Sequence, residues 1–178
     1  MVVGILGLTM ALGFSGCQSE NQKNQDAYRK IGINSMAEGD YDKAVKSFQK
    51  ALDTSLGKIG AEEIDICYYK AAAQFAKKDY DGAIETYTSL IDYDKENANA
   101  YYLRGSVYLD TDKKDKAFKD YKNAVKYAGR EYEIYEGIYE NLTNKGETEE
   151  AKNYLKKALD IKPKDGADSV SYTHLRAH

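Results

Sequence analysis

Few residues in this chain are spaced in a way that could do chemistry. The run Asp110-Thr111-Asp112-Lys113-Lys114-Asp115 sets oxygen-bearing side chains at close intervals, as the start of a calcium loop does. Such a loop needs glycine at its sixth position for the sharp turn and a bidentate glutamate at its twelfth; here those positions hold Asp115 and Tyr121. The run therefore reads as a solvated turn. Two thiols, Cys17 and Cys67, lie far apart in contrasting surroundings, and neither a disulfide framework nor a zinc spacing can be built from them. Cys67, between Ile66 and Tyr68 on a helical pattern, reads as a small core residue. Both histidines, His174 and His178, fall in the last five residues, so general acid–base catalysis lacks its usual group. The carboxylate pairs Glu62–Glu63 and Glu149–Glu150 sit at expected helix starts, where negative charge complements the helix dipole. The sequence carries no phosphate-cradling glycine loop, no metal cluster and no nucleophile–base arrangement. Neither catalysis nor a cofactor nor a metal is expected, and no small-molecule substrate is evident.

Composition narrows the class. The chain has 178 residues with 42% hydrophobic and 31% charged content, enough for a packed core. Its net charge of −3 argues against a general nucleic-acid binder, which needs a basic excess. One proline and no tryptophan disfavour a loop-rich β fold, and most of the 17 tyrosines fall inside a repeating pattern.

That pattern must position whatever function there is. GDYDKAVKSFQKAL at 39–52 returns as DYDGAIETYTSLI at 79–91. Ala83, Ala117 and Ala151 are spaced by 34 residues, as are Tyr87, Tyr121 and Leu155, Ala71 and Gly105, and Ala124 and Ala158. Ala44 precedes Ala83 by 39, one period plus a five-residue insertion around Ser55–Gly60. A 34-residue self-similarity predicts helix–turn–helix units, with helices at about 25–38, 41–54, 62–77, 80–93, 98–111, 114–127, 131–145 and 148–161.

The residues at these positions closely resemble the tetratricopeptide repeat family over roughly 25–163. Tyr28, Ile31, Gly32, Gly39, Tyr41, Ala44, Phe48 and Ala51 fill its signature in the first unit. Ala71, Tyr80, Ala83, Tyr87 and Leu90 do so in the second, and Tyr101, Gly105, Tyr108, Ala117, Tyr121 and Ala124 in the third. In the fourth, Tyr135, Gly146, Ala151, Leu155, Ala158 and Pro163 continue it, but Tyr139 stands where a small residue is expected. The resemblance implies an all-α, right-handed superhelical solenoid of antiparallel helix pairs, in about four units near 25–58, 64–97, 98–131 and 132–165. It also implies that the first helices line a concave groove for a protein or peptide segment. By register that lining comprises Arg29, Ile33 and Met36, then Tyr68, Ala72 and Phe75, then Tyr102, Ser106 and Leu109, then Glu136 and Glu140. The aromatics could equally pack within the array, and the acidic stripe of Glu133, Glu136 and Glu140 reads first as a solvated face. Some members grip a C-terminal carboxylate with Lys and Asn at fixed groove positions. Here those positions hold Arg29, Ile33, Tyr69, Asn99 and Leu103, with a single cation among them, so that clamp is not expected.

The two ends read differently. Residues 2–14, VVGILGLTMALGF, match the length of a signal-peptide hydrophobic region and are too short for a membrane span of ~20 residues. Phe14-Ser15-Gly16-Cys17 resembles a bacterial lipobox, which makes 1–17 a lipoprotein signal, Cys17 the lipidated residue and 18–24 a polar tether. No Lys or Arg precedes Cys17, so the true start is expected upstream of Met1. Two acyl chains, at ~0.8 kcal/mol per buried methylene, suffice for stable anchoring. At the other end, SVSYTHLRAH (169–178) breaks the composition and resembles a translated sequencing adapter, so 164–178 reads as a truncated end.

The expectation is a lipid-anchored interaction scaffold of the bacterial cell envelope, on the outer face of the cytoplasmic membrane or on the outer membrane. The alternative is a targeting arm of an envelope enzyme or assembly machine whose remainder lies beyond this sequence.

Overall fold

The computed structural model describes residues 20–55 and 57–161, and the described residues form eight helices joined by short turns. They are α1 (Glu20–Ala37), α2 (Tyr41–Thr54), α3 (Ala61–Ala76), α4 (Tyr80–Tyr93), α5 (Ala98–Asp110), α6 (Lys114–Ala128), α7 (Tyr132–Asn144) and α8 (Thr148–Ile161). The signal and lipobox with Cys17, and Pro163 with the C-terminal tail, lie outside the described residues.

Side-chain caps start several of these helices. Asp40 accepts from the Lys43 amide at 3.0 Å, Asp79 from Gly82 at 3.1 Å and Asn97 from Ala100 at 2.9 Å, each pairing an otherwise orphaned first-turn donor. One turn closes all four hairpins. In each, an amide reaches back five residues to a carbonyl: Asp40 to Ser35, Asp79 to Gln74, Lys113 to Tyr108 and Glu147 to Leu142, at 2.8–2.9 Å. The residue before each of these amides is left-handed: Gly39 (φ 77°), Lys78 (φ 66°), Asp112 (φ 58°) and Gly146 (φ 77°). The calcium-like run is thus the third copy of this turn, with Asp112 at its left-handed position.

Two differences from the sequence expectation are local. α1 begins at Glu20, five residues ahead of the expected 25, so part of the expected tether is helical. Gln25 explains the order there: it is buried and donates to Glu63 on α3 at 2.7 Å. In the fourth unit Tyr139 is half-buried against the core, and α7 and α8 close instead through Ile138, Leu142, Ala151 and Ala158, all buried.

Packing is sequential. Each helix contacts its neighbours in order, and α1 touches α3 and α5 touches α7 across the hairpins. Three buried clusters follow one another along the array, as expected where stability is a sum over neighbours. Ala44, Ala83 and Ala117 are fully buried, where the absence of a long side chain lets helices approach to ~8–10 Å. Large residues meet small ones inside each hairpin. A Cβ on Gly32 would fall 2.5 Å from the Phe48 ring, and one on Gly105 would fall 2.8 Å from the Tyr121 ring. Phe48 also stacks on Tyr69 of the next unit, with centroids 5.6 Å apart, so the same ring seals two joints.

A buried ion pair fixes the middle of the array. Arg104 of α5 donates from Nε and Nη2 to the two Asp120 carboxylate oxygens of α6 at 2.7 and 2.9 Å, and from Nη1 to Thr88 of α4 at 2.9 Å. Arg104 and Asp120 side chains are only 15% and 4% exposed, and the guanidinium lies near the Tyr101 and Tyr108 rings. One side chain thus ties three consecutive helices together.

Candidate functional site

The first helix of every hairpin (α1, α3, α5 and α7) contributes to one face, and the site is built from their side chains. At the α1 end, Arg29 donates from Nε to Asp65 of α3 at 3.0 Å and lies over the Tyr69 ring at 5.4 Å. Ile33 and Met36 are half-buried beside it against the first core cluster. Asp65 was not among the expected lining residues, and it neutralises the one cation there. Nearby, the Glu62 carboxyl is held above the usual carboxylate range by burial first, and then by its hydrogen bond to Asp26 and that residue's charge.

The middle is aromatic. Tyr68 is half-buried, tilts against Tyr87 at 6.3 Å and donates its hydroxyl to Asn97 Oδ1 at 2.7 Å. Phe75 meets Tyr80 edge-on at 5.6 Å. Tyr102 packs on Tyr121 at 6.3 Å, and its hydroxyl lies 2.3 Å from where a Cβ on Gly137 would be. Only glycine at 137 lets α7 approach this phenol. Ser106 donates to the Tyr102 carbonyl at 2.9 Å and accepts from Asn141 Nδ2 at 2.7 Å, which also donates to the Tyr121 hydroxyl at 3.3 Å. Ala72 and Leu109, expected on the lining, are 7% and 2% exposed and support it from beneath. At the α7 end Glu136 accepts from the Tyr132 hydroxyl at 2.8 Å, and Glu140 is half-buried one turn further on.

The sequence reading missed Asn97, Asn141, Gly137 and Asp65. For Asn141 a signal existed: it falls 34 residues after Val107, itself 34 after Ala73, so a polar group stands where the second and third units have a buried apolar one. Cys67 is half-buried in the second cluster, and burial pushes its thiol pKa up, away from reactivity. Among the described residues no group of His, Cys, Asp and Glu is placed to hold a metal ion, and no helix is long and apolar enough to cross a membrane.

The lining offers half-exposed rings and hydroxyls between a neutralised ion pair at the α1 end and carboxylates at the α7 end, on a frame that repeats. A curved stack of helical hairpins of this kind is a protein–protein interaction scaffold. Tetratricopeptide repeat models match residues 29–87, 98–130 and 140–165, and a further repeat model of the same kind matches 71–112. The chain belongs to the tetratricopeptide repeat family. No curated protein matches it in sequence. Among solved structures it is similar to MamA, at 26% identity over 78% of each chain with a TM-score of 0.61. A MamA from Desulfovibrio magneticus RS-1 aligns at 22% identity over 80% of this chain and 77% of the other, with a TM-score of 0.62. YrrB, described as a TPR protein with an unusual peptide-binding site, aligns at 18% identity over 79% and 70%, with a TM-score of 0.57.

Proposed function

We propose that the chain is a lipid-anchored scaffold of the bacterial cell envelope, held to the membrane through Cys17, that binds a segment of a partner protein on its first-helix face. The observation that supports this reading is the set of half-exposed rings Tyr68 and Phe75 on α3 and Tyr102 on α5, with Glu136 and Glu140 beyond them on α7. Rings of this kind give large contact area at low entropic cost, and their hydroxyls hydrogen-bond a peptide backbone. The peptide-binding site named for YrrB agrees with a peptide as occupant. The Cys17 lipid supplies location and the groove supplies selection, so the scaffold concentrates its partner at a membrane surface.

Replacing Tyr68, Phe75 and Tyr102 with Ala in the full chain tests the groove. Binding of the purified envelope partner, found by crosslinking, should weaken by about a hundred-fold or more if these are its anchors, while the circular dichroism of the helices persists. Unchanged affinity with intact helicity would refute the site. For the anchor, Cys17→Ala should abolish incorporation of labelled fatty acid and release the protein from the membrane fraction. Retention in that fraction would refute lipidation as the tether.

A further inference from the structure

The opposite face of the array carries a second surface with its own chemistry. α8 packs on α7 but scarcely on α6, and between the two second helices lie adjoining hollows of about 650 and 430 Å³. Their apolar lining comes from Phe118 and Tyr154 in one, and Val125, Tyr135 and Ile161 in the other. Over these stand Lys122, Lys126, Lys156 and Lys157, against the two carboxylates Glu150 and Asp160.

The charge at this cleft runs against that of the molecule. The chain carries a net −3, yet lysines here outnumber carboxylates two to one. None of the four cleft lysines forms an ion pair with a described acid, as several other exposed lysines also do not, so their charge is open to a partner. Lys126 donates only to the neutral Tyr127 hydroxyl, at 3.0 Å, and Lys157 lies near the Tyr154 ring at 5.7 Å. Residues 162–168, ahead of the adapter-like run, set Lys162 and Lys164 against Asp165 and Asp168 and so bring no net negative charge to this rim.

We infer that the α6–α8 cleft docks an acidic amphipathic helix of a partner protein. Apolar side chains on one stripe of that helix enter the Phe118–Tyr154 and Val125–Ile161 hollows, and its flanking carboxylates meet the four lysines. An apolar floor with a rim of one charge sign reads an i, i+3, i+4 apolar stripe bordered by the opposite sign. The lysines steer the encounter and reject basic segments, while the hollows supply the contact. This site is separate from the first-helix groove and functions without it.

The test uses the full chain and two fluorescent helical peptides with the same leucine stripe, one flanked by glutamates and the other by lysines. By anisotropy the glutamate peptide should bind and the lysine peptide should not, with affinity falling as salt is raised. The triple variant K122E/K126E/K157E should bind the glutamate peptide at least about ten-fold more weakly, at unchanged helicity. The neutral variant K122Q/K126Q/K157Q should fall between, which covers the case in which the reversed charges disturb folding. The Tyr68, Phe75 and Tyr102 replacements should leave this binding intact. Equal binding of both peptides, or no loss in either lysine variant, overturns the proposal. So does binding to phosphatidylglycerol vesicles that the lysine variants abolish while peptide binding is unmoved, or self-association that they abolish, because either assigns the cleft another occupant.

Discussion

Lys78 occupies a backbone position that two of the other three hairpins give to glycine, and this sets up a measurement with two opposite signs. Its φ of 66° is left-handed, where a Cβ crowds the following carbonyl at a cost of about 1–2 kcal/mol. Its side chain is exposed and enters no ion pair among those of the described residues, so Lys78→Gly removes little except that strain. Glycine in turn adds freedom to the unfolded chain, worth about 0.4–1 kcal/mol in the other direction. The balance predicts a net stabilisation of about 0.5–1 kcal/mol. Asp112→Gly should gain less, because a short polar side chain tolerates this region better. Gly146→Ala is the converse: an added Cβ meets nothing within 4 Å, so its expected loss of about 0.5–1 kcal/mol is backbone strain less the same chain-entropy difference, with no steric contact added. Urea titrations of the full chain, followed by circular dichroism, should shift the midpoint up for Lys78→Gly and down for Gly146→Ala at constant slope. A lower midpoint for Lys78→Gly, or none lost in Gly146→Ala, would refute the turn energetics.

Two further outcomes follow from the charged groups. Asp120→Ala strands the Arg104 guanidinium in the interior and should cost about 3–5 kcal/mol in the same titration, whereas Arg104→Met with Asp120→Leu should recover most of it. A loss below about 1 kcal/mol would mean that water reaches the pair. Glu62, whose carboxyl is held above its ordinary range, stabilises the fold at acid pH and loses that contribution as pH rises through its raised value. Glu62→Gln should therefore be more stable than the parent at neutral pH, with the difference closing on acidification below the carboxylate range; a pH-independent difference would argue against the Asp26 contact.

Helix positions were legible because Ala83, Ala117 and Ala151 announce the same joint at a fixed interval, and the physics of the joint admits only small residues. The left-handed turns were half legible. Gly39 and Gly146 mark two of them, but Lys78 and Asp112 adopt the same backbone without the residue type that signals it, since neighbouring packing overrides local preference. Register gave the first-helix residues that share a face, but not which of them are exposed. It places Leu109 beside Tyr102 and Ser106, yet Leu109 is buried in the cluster that α5 shares with α6, α7 and α8, and contacts with other helices leave no trace in spacing. Asn141 was visible only as an exception to the apolar pattern of Ala73 and Val107. Its partners Ser106 and Tyr121 lie 35 and 20 residues away and could not be paired from the sequence alone.

The contact between Tyr68 and Asn97 ties a half-buried ring of one hairpin to the start of the next. Asn97 Oδ1 takes both the Tyr68 hydroxyl and the Ala100 amide that opens α5, so one oxygen serves the joint and the helix start together. In the groove proposed above, a partner segment that took that hydroxyl would draw on the same oxygen, and binding would then be linked to the seam between the second and third hairpins.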